Sequence, residues 1–202
     1  SETAPGPARM AAVQALKQTH VRQQTAHILC DCVGEGEHPA WRATAAQTLG
    51  YHRAAARFEE LQGALLKHAK GEADPLVVKA IAFALRDTEA TIPLLDHPDV
   101  AVVTEAVLGV PLSDAGYSAV LDLFFRGAGA AVEARILKRL EESENAPEKV
   151  VAFLLTAELG DGEAGSAPRI SRIFGALPQG ALFEALTCAG EELSRTYRDI
   201  WP

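Results

Sequence analysis

The sequence predicts an all-α protein, an α-solenoid in which helix pairs stack one after another. A repeated unit is the first observation: two successive segments, Asp74–Leu85 and His97–Gly109, share one pattern. In each, a polar residue and a proline precede an apolar residue two positions on, and a leucine follows eight positions later. The same frame fits His38–Gly50 and, more loosely, Val132–Leu140. Such repetition is typical of proteins whose units bury their apolar faces against neighbouring units.

The positions of the prolines and the composition favour helices over strands. Pro75, Pro98 and Pro147 lie between periodic segments, where proline starts or separates helices. Alanine is abundant, runs of β-branched residues are short, and the sequence lacks the alternation of apolar and polar residues that marks strands. At 202 residues and 48% hydrophobic, the chain can bury a substantial core.

Taken in order, the periodic segments predict a leading helix and about five helix pairs. The leading helix spans Met10–Val33, and glycine after it adopts the left-handed conformation of helix ends. In the repeated unit, Asp74 is the predicted N-cap and Pro75 the first helical residue, while Gly50 is predicted to stop the helix of the preceding unit. The predicted pairs are 39–50 with 54–69, 74–85 with 88–95, 97–109 with 114–126, 130–142 with 150–159, and 168–177 with 180–197.

One such pair cannot fold alone. Ordering its roughly 30 residues costs about 30–60 kcal/mol of backbone entropy. Its core side chains, roughly six of them, return only about 1.5–3 kcal/mol each on burial. Stacking lets each helix bury a second face, and the small apolar side chains of Ala80–Leu85 suit a helix packed between two neighbours.

The unit also resembles the short HEAT-like repeat, in particular the variety found in phycobilisome lyases. The resemblance rests on the proline and apolar anchor, the small residues after them and the closing Leu-Gly, and it covers residues 38–142. It implies a right-handed α-solenoid whose second helices line a concave face. In that family an arginine directly after the apolar anchor makes polar contacts between repeats. This arginine is present here as Arg42, but Val78, Ala101 and Glu133 replace it in later units.

The chain is expected to form one HEAT-like domain, residues 10–202, with a flexible loop near 160–167. Residues 1–9 are expected to be a disordered leader or a remnant of expression, because they lack the charged and apolar regions of a secretory signal. The three cysteines are too scattered for a disulfide framework, and no apolar run is long enough for a bilayer span. A cytoplasmic location without membrane insertion is therefore expected.

The formal charge of −8 disfavours nucleic acid as a partner. Proteins that bind DNA or RNA neutralise phosphates with lysine and arginine, whereas an acidic surface repels them. A local basic groove is compatible with this total, but general binding to nucleic acid is not expected.

No catalytic, metal or nucleotide motif is complete in the sequence. His27 and Cys30 are weak metal candidates, because they lie three residues apart and share a helix face. Zinc requires four ligands, and Cys32 points roughly the other way, so a buried thiol and a helix-surface histidine are the preferred interpretation. The glycine-rich stretch 160–165 lacks the Lys-Ser/Thr ending of a phosphate-binding loop. No catalytic residue, metal or cofactor is predicted.

The second helices of two pairs carry the candidate partner-binding residues. One group mixes charges outside an apolar stripe, and the other mixes aromatic and charged side chains, as interfaces do. The first group is Arg57, Glu60, Lys67 and Lys70, and the second is Tyr117, Asp122, Phe125 and Arg126.

The repeat pattern without a catalytic constellation predicts a non-catalytic protein-interaction adaptor, scaffold or regulatory subunit. The alternative is a lyase-like enzyme or enzyme subunit that holds a small molecule in its concave groove, as the resemblance implies. The expected partner is another protein. A homo-oligomer through apolar ends of the array, at 10–33 or 180–197, is a further possibility because repeat arrays need polar caps.

Overall fold

A computed structural model describes residues 7–35, 38–156 and 166–200 of the chain. These residues form helices and no strand, which confirms the all-α class. The chain divides into two compact units, Ser1–Leu112 and Ser113–Pro202. The predicted flexible loop near 160–167 lies, as far as residue 165, outside the described residues. Residues 1–6 of the predicted leader also lie outside them.

The helices of the first unit are α1 (Pro7–Leu16), α2 (Gln23–Glu35), α3 (Pro39–Tyr51), α4 (Ala54–Arg57), α5 (Glu60–Gly71), α6 (Pro75–Ala84), a 3₁₀ helix (Glu89–Asp96) and α7 (Val100–Gly109). Those of the second unit are α8 (Asp114–Arg126), α9 (Ala130–Glu141), α10 (Ala146–Thr156), α11 (Ser166–Ala176) and α12 (Gln179–Ile200). The bounds of α8 agree with the prediction to the residue.

Within the first unit the helices alternate between two layers. α3 packs against α1 and α6, and α6 packs in turn against α7, so these four helices form the first layer. α5 packs against α2 and against the 3₁₀ helix, and these three form the second layer. α2 also contacts α3, and the 3₁₀ helix contacts α7, which joins the layers. The core of this unit contains the fully buried side chains of Leu49, Leu61, Leu65, Ile81 and Leu85.

Three helices of the first layer begin with a side-chain cap. His38 Nδ1 accepts a hydrogen bond from the Ala40 N–H at 3.2 Å, and Asp74 Oδ1 accepts one from the Leu76 N–H at 2.9 Å. Both caps precede a proline at the first helical position, as the sequence predicts. In α7 the cap is Asp99, so the helix begins two residues after Pro98 rather than at it.

The predicted leading helix, Met10–Val33, is wrong: the structure divides it into α1 and α2. The chain leaves the helix at Lys17, where the Thr19 hydroxyl donates a hydrogen bond to the Leu16 carbonyl oxygen at 3.2 Å. Val21 is buried (1% exposed) between the two helices in the sequence. The break lets α1 and α2 each pack against α3, which one straight helix could not do.

The predicted second helix 54–69 is also divided, into α4 and α5. Phe58 has an extended backbone with a φ of −129°, which ends α4. The Gln62 side chain donates a hydrogen bond to the Ala55 carbonyl oxygen at 3.0 Å and satisfies a group that the break leaves unpaired. The predicted short helix 88–95 is the 3₁₀ helix, which contains Pro93.

Gly50 was expected to stop a helix, but it lies inside α3 and its role is close packing. A Cβ at Gly50 would overlap the ring of Phe83 and lie 2.9 Å from its carbonyl oxygen. Gly109 in α7 packs closely against the residue that follows the C-terminal end of α6, since a Cβ there would lie 3.3 Å from the Cα of Arg86. The two glycines of the Leu-Gly pattern therefore admit the C-terminal end of α6 between α3 and α7.

The helices of the second unit also alternate between two layers. α8 packs against α10 and α10 against α12, while α9 packs against α11. Its fully buried side chains include Leu121, Phe124, Ile136, Leu140 and Ile173.

Candidate functional site

A groove of about 550 Å³ opens on the first layer of the first unit. Its lining residues recur every three or four positions along α3 and α6, so one face of each helix forms one wall. Its buried lining residues include the small Thr44 and Ala80, whereas the bulky Tyr51 and Leu76 are exposed. We call it the α3/α6 groove; it is lined by Ala40, Ala43, Thr44, Gln47, Tyr51, Leu76, Lys79, Ala80, Phe83 and Glu105.

Large apolar side chains are left in water at both ends of this groove. Leu76, near the start of α6, is 71% exposed, and Tyr51, at the end of α3, is 60% exposed. The Tyr51 ring meets the Phe83 ring edge to face with 5.4 Å between the ring centroids. Such a pair is stable but leaves ring surface available for a further apolar group.

Two cations lie over this aromatic pair. The ammonium of Lys17 is 4.8 Å from the centroid of the Tyr51 ring, and the guanidinium of Arg86 is 4.5 Å from that of the Phe83 ring. Both distances are within the range in which a cation is attracted to the face of an aromatic ring. We call Lys17, Tyr51, Phe83 and Arg86 the cation–aromatic cluster.

Two hydrogen bonds hold the main chain next to the two cations of the cluster. The Nε2–H of His52 donates a hydrogen bond to the carbonyl oxygen of Leu16 at 2.7 Å, which fixes the residue before Lys17 next to α3. On the other side, the N–H of Asp87 donates to the carbonyl oxygen of Gly109 at 2.7 Å and fixes the residue after Arg86. These two hydrogen bonds hold the main chain beside each cation.

An exposed ion pair lies close in the sequence to the cation–aromatic cluster. Arg53 and Asp87 lie 3.4 Å apart, with 66% and 45% of their side chains exposed. Both residues have left-handed backbones, with φ values of 49° and 61°. A left-handed backbone is unusual for residues other than glycine and makes the chain turn sharply after α3 and α6.

The first predicted group, on α4 and α5, is exposed, and two of its members, Glu60 and Arg57, contact residues in α2 or just before it. Glu60 accepts a hydrogen bond from the Gln23 side chain at 2.6 Å and lies 3.6 Å from Nε2 of His27. The backbone N–H of Glu60 and the Gln23 amide hold the pKa of the Glu60 carboxyl below its usual value. The guanidinium of Arg57 lies 3.5 Å from both the Val21 carbonyl oxygen and the His20 ring. Lys67 and Lys70 are exposed.

The second predicted group, on α8, does not form one surface. Tyr117 is buried (4% exposed), and its hydroxyl is hydrogen-bonded to the Ser143 hydroxyl. Asp122 and Arg126 are exposed, while Phe125 is half-buried and stacks on Phe153 with 6.0 Å between ring centroids. Tyr117 therefore belongs to the core of the second unit, and a substitution there would test folding rather than partner binding. Helical periodicity places it on the apolar side of α8 with Val120 and Leu121.

The residues proposed as weak metal candidates serve other roles. Nδ1–H of His27 donates to the Gln23 carbonyl oxygen at 2.9 Å, within the same helix. Cys30 is 3% exposed, and burial, with a smaller contribution from Asp31, raises the pKa of its thiol to about 11. Within the described ranges no three His, Cys, Asp or Glu side chains are grouped so that they could hold a metal ion.

Arg42, the arginine for which the resemblance implies polar contacts, forms a two-pronged ion pair with Glu72. Its Nε and Nη2 donate to the carboxylate at 2.8 and 3.0 Å, and the two side chains are 16% and 11% exposed. The same carboxylate accepts from the N–H of Asp74 at 2.9 Å. Burial acts to raise the pKa of Glu72, but these hydrogen bonds, that from Ala73 and the charge of Arg42 outweigh it, so the pKa is lowered.

The sequence does not predict the α3/α6 groove, because its repeat pattern places the candidate binding residues on the second helices. The signal was present in Tyr51 and Leu76, apolar residues that fall outside the buried stripes of their helices. Comparison of the chain with protein-family models, with curated proteins and with solved structures gave no match. None of the helices in the described part of the chain combines the length and apolar character needed to cross a membrane.

Proposed function

We propose that the protein is a non-catalytic interaction module, an adaptor or regulatory subunit, that binds a segment of another protein in the α3/α6 groove. The observation that carries the proposal is the exposure of bulky apolar side chains at the groove, 60% for Tyr51 and 71% for Leu76. Apolar surface of this kind, rimmed by polar groups, is typical of sites where a partner docks.

The proposed scaffold is a HEAT-like α-solenoid. Two features support it: the alternation of helices between layers inside each unit, and the capped starts that recur at His38, Asp74 and Asp99. The Arg42–Glu72 pair, which links α3 to the residues before α6, is a third. Arrays of this kind present neighbouring parallel helices to the solvent, and a groove between two of them can accept an extended or helical segment.

The proposed occupant is a short segment with one bulky apolar side chain. That side chain lies between Leu76 and Phe83, over a floor that Ala43 and Ala80 keep shallow. The polar groups of Thr44 and Gln47, which also line the groove, are available to the backbone of the segment. Peptide segments bind in this manner, with anchors in apolar pockets and polar groups aligning the main chain.

A small molecule in the same groove is the second candidate, as the lyase resemblance implies. The volume of about 550 Å³ is within the range of ligand pockets. An enzyme or enzyme subunit would then hold its substrate against Tyr51 and Phe83. Such a ligand would remain bound as a low-mass adduct or give the purified protein colour.

Native mass spectrometry of the tagged protein, recovered gently from its own host, tests the proposal. The wild type is expected to carry a second protein in stoichiometric amount. The double variant Tyr51→Ala/Leu76→Ala should lose most of that mass, because both anchors of the groove are removed. The matched control Leu186→Ala changes an exposed leucine (44%) on α12 and should retain the partner.

Loss of the partner in both variants, or in neither, would contradict the choice of groove. A monomer that carries only a small adduct, displaced in the double variant, would support the second candidate and overturn the first.

A further inference from the structure

We infer that the segment bound in the α3/α6 groove is acidic, with at least two carboxylates that meet the cation–aromatic cluster. This inference rests on the proposed function and names the chemistry of the partner at that site. The carboxylates lie at the Tyr51 end, and the bulky apolar side chain lies in the groove itself.

The local charge at this end is opposite to that of the whole chain. The chain has a formal charge of −8, yet basic residues outnumber acidic ones around the aromatic pair. The basic residues there are Lys17, Arg53 and Arg86, and the acidic one is Asp87. A positive patch on an acidic protein attracts anions locally and repels them elsewhere, which favours one docking position.

The cations are positioned before a partner arrives. Lys17 and Arg86 lie over ring faces at 4.8 and 4.5 Å from the centroids. The His52 side chain holds the Leu16 carbonyl, and the Asp87 N–H is bonded to the Gly109 carbonyl oxygen, so the main chain beside each cation is held. A side chain that is already held loses less conformational entropy when it binds a carboxylate. The guanidinium of Arg86 can in addition donate two parallel hydrogen bonds to one carboxylate.

The groove away from the cluster offers no such preference. Among its lining residues the charges are those of Lys79 and Glu105, which balance each other. The remaining lining is apolar, hydroxyl or amide. An apolar side chain therefore suits the groove, and the charged residues of the segment suit its Tyr51 end.

A protein segment fits this arrangement better than a nucleic acid does. Nucleic acids carry regularly spaced phosphates, and their binding depends on several lysines and arginines along an extended track. Here the excess of positive charge is confined to one end of the groove, and the total of −8 repels a long polyanion. A few carboxylates beside an apolar anchor match both the extent of the patch and its aromatic character.

The test uses the full chain as bait in the selection of displayed random 12-residue peptides. Only those selected peptides that fail to bind the Tyr51→Ala/Leu76→Ala bait are kept, because their binding depends on the groove. We expect the retained peptides to combine Asp or Glu with one Trp, Phe or Leu. Their affinities are then measured by fluorescence polarisation.

Charge variants of the bait decide whether the cations are used. Lys17→Met/Arg86→Met should weaken the best peptide roughly 5- to 20-fold, the sum of two partly exposed charge pairs. Arg22→Met/Lys138→Met removes the same charge from exposed positions outside the groove and should change the affinity less than twofold. Raising the salt from about 50 to about 500 mM should weaken wild-type binding several-fold.

The exposed residue Lys79 gives a variant that leaves the packing of the cluster untouched. Lys79→Glu is expected to weaken an acidic peptide and to strengthen the same peptide with its acids replaced by lysine. Opposite shifts for the two peptides exclude unfolding as the cause.

The outcomes separate the two proposals. If no selected peptide loses binding to the Tyr51→Ala/Leu76→Ala bait, the proposed function fails at this site. If groove-dependent peptides appear without acidic residues, or bind equally to Lys17→Met/Arg86→Met, the proposed function stands and the acidic partner is wrong. Groove-dependent binding of a 12-nucleotide single-stranded DNA that displaces every selected peptide would also overturn the inference.

Discussion

The contact between Gly50 and Phe83 shows how one missing side chain shapes the candidate site. The Phe83 ring occupies the space that a Cβ at position 50 would need, and the Phe83 carbonyl oxygen would be 2.9 Å from that Cβ. Because the oxygen belongs to the backbone of α6, the clash cannot be relieved by a side-chain rotation alone. Gly50 thus sets the distance between α3 and α6, on which the groove depends.

We therefore predict that Gly50→Ala destabilises the protein by about 1–3 kcal/mol, the usual cost of overpacking. The matched control is Gly63→Ala in α5, where a Cβ meets no atom within 4 Å. That substitution should stabilise the protein by about 0.5–1 kcal/mol, because alanine favours a helix. Urea unfolding followed by circular dichroism measures both. Equal effects of the two substitutions would contradict the close packing of Phe83 on α3.

The cysteines give a second prediction at the same scale. Cys30 is buried with a thiol pKa of about 11, whereas Cys188 is exposed. In a Cys32→Ser background at about pH 8, iodoacetamide should modify Cys188 roughly 100-fold faster than Cys30, because only an accessible thiolate reacts. Peptide mass spectrometry after timed quenching measures the two rates. In about 6 M guanidinium chloride the rates should approach each other; a fast Cys30 in the native protein would show that α2 is not packed as described.

The raised pKa of Cys30 also makes the free energy of unfolding depend on pH. An unfolded chain loses the thiol proton near the ordinary value of 9.0, but the folded chain keeps it until about pH 11. Between these values the folded state binds more protons, so its stability falls as the pH rises. Cys30→Ala should remove this part of the decline.

At the scale of elements, the Arg42–Glu72 pair joins α3 to the start of α6. The carboxylate accepts from Arg42 and from the N–H of Asp74, which is itself the cap of α6. Since both charged side chains are more than four-fifths buried, removal of one partner leaves the other poorly solvated.

We predict that Arg42→Met lowers the free energy of unfolding by about 1.5–3 kcal/mol at neutral pH, the typical range for hydrogen bonds to a charged group. The folded-state pKa of Glu72 is lowered, so the stabilisation is complete above the ordinary value of 4.5 and is lost as the pH falls through the folded value. The difference between wild type and variant should therefore shrink towards pH 3.

Lys138→Met provides the comparison, because its ion pair with Glu142 is exposed on both sides (61% and 65%). Such surface pairs contribute roughly 0–1 kcal/mol. Urea titrations of the three proteins across pH measure the effect. A difference for Arg42→Met that stays constant down to pH 3 would mean that Glu72 does not titrate with the pair.

Several elements could be predicted from the sequence because local chemistry determines them. Asp74 and Pro75 begin α6, and Asp114–Arg126 is a helix, since capping residues and apolar periodicity suffice for both. The break between α1 and α2 could not be predicted, because it depends on α3, to which both helices pack. The division at Phe58 likewise depends on the Gln62 side chain. In the folded chain, its amide donates a hydrogen bond to the Ala55 carbonyl oxygen that the division leaves unpaired.

At the scale of the whole molecule, the sequence predicts the all-α class and the repeated unit, and the structure describes two compact units with the same alternation of layers. The candidate surface was less predictable. Periodicity distinguishes buried from exposed faces, but it does not reveal that Lys17 and Arg86 lie on neighbouring rings, since these residues are 69 apart in the sequence. Tyr117 shows the reverse error, because an aromatic residue in a mixed helix can belong to the core.

Site-specific photocrosslinking in the host decides whether the α3/α6 groove binds an acidic segment of another protein. A benzophenone side chain replaces Gln47, an exposed residue that lines the groove, or Gln24, an exposed residue on α2, as the control. The expected result is a crosslink from position 47 alone, to a peptide of net negative charge, with a lower yield in a Lys79→Glu background. Equal crosslinking from both positions, or crosslinks from position 47 to basic peptides or nucleic acid, would contradict it.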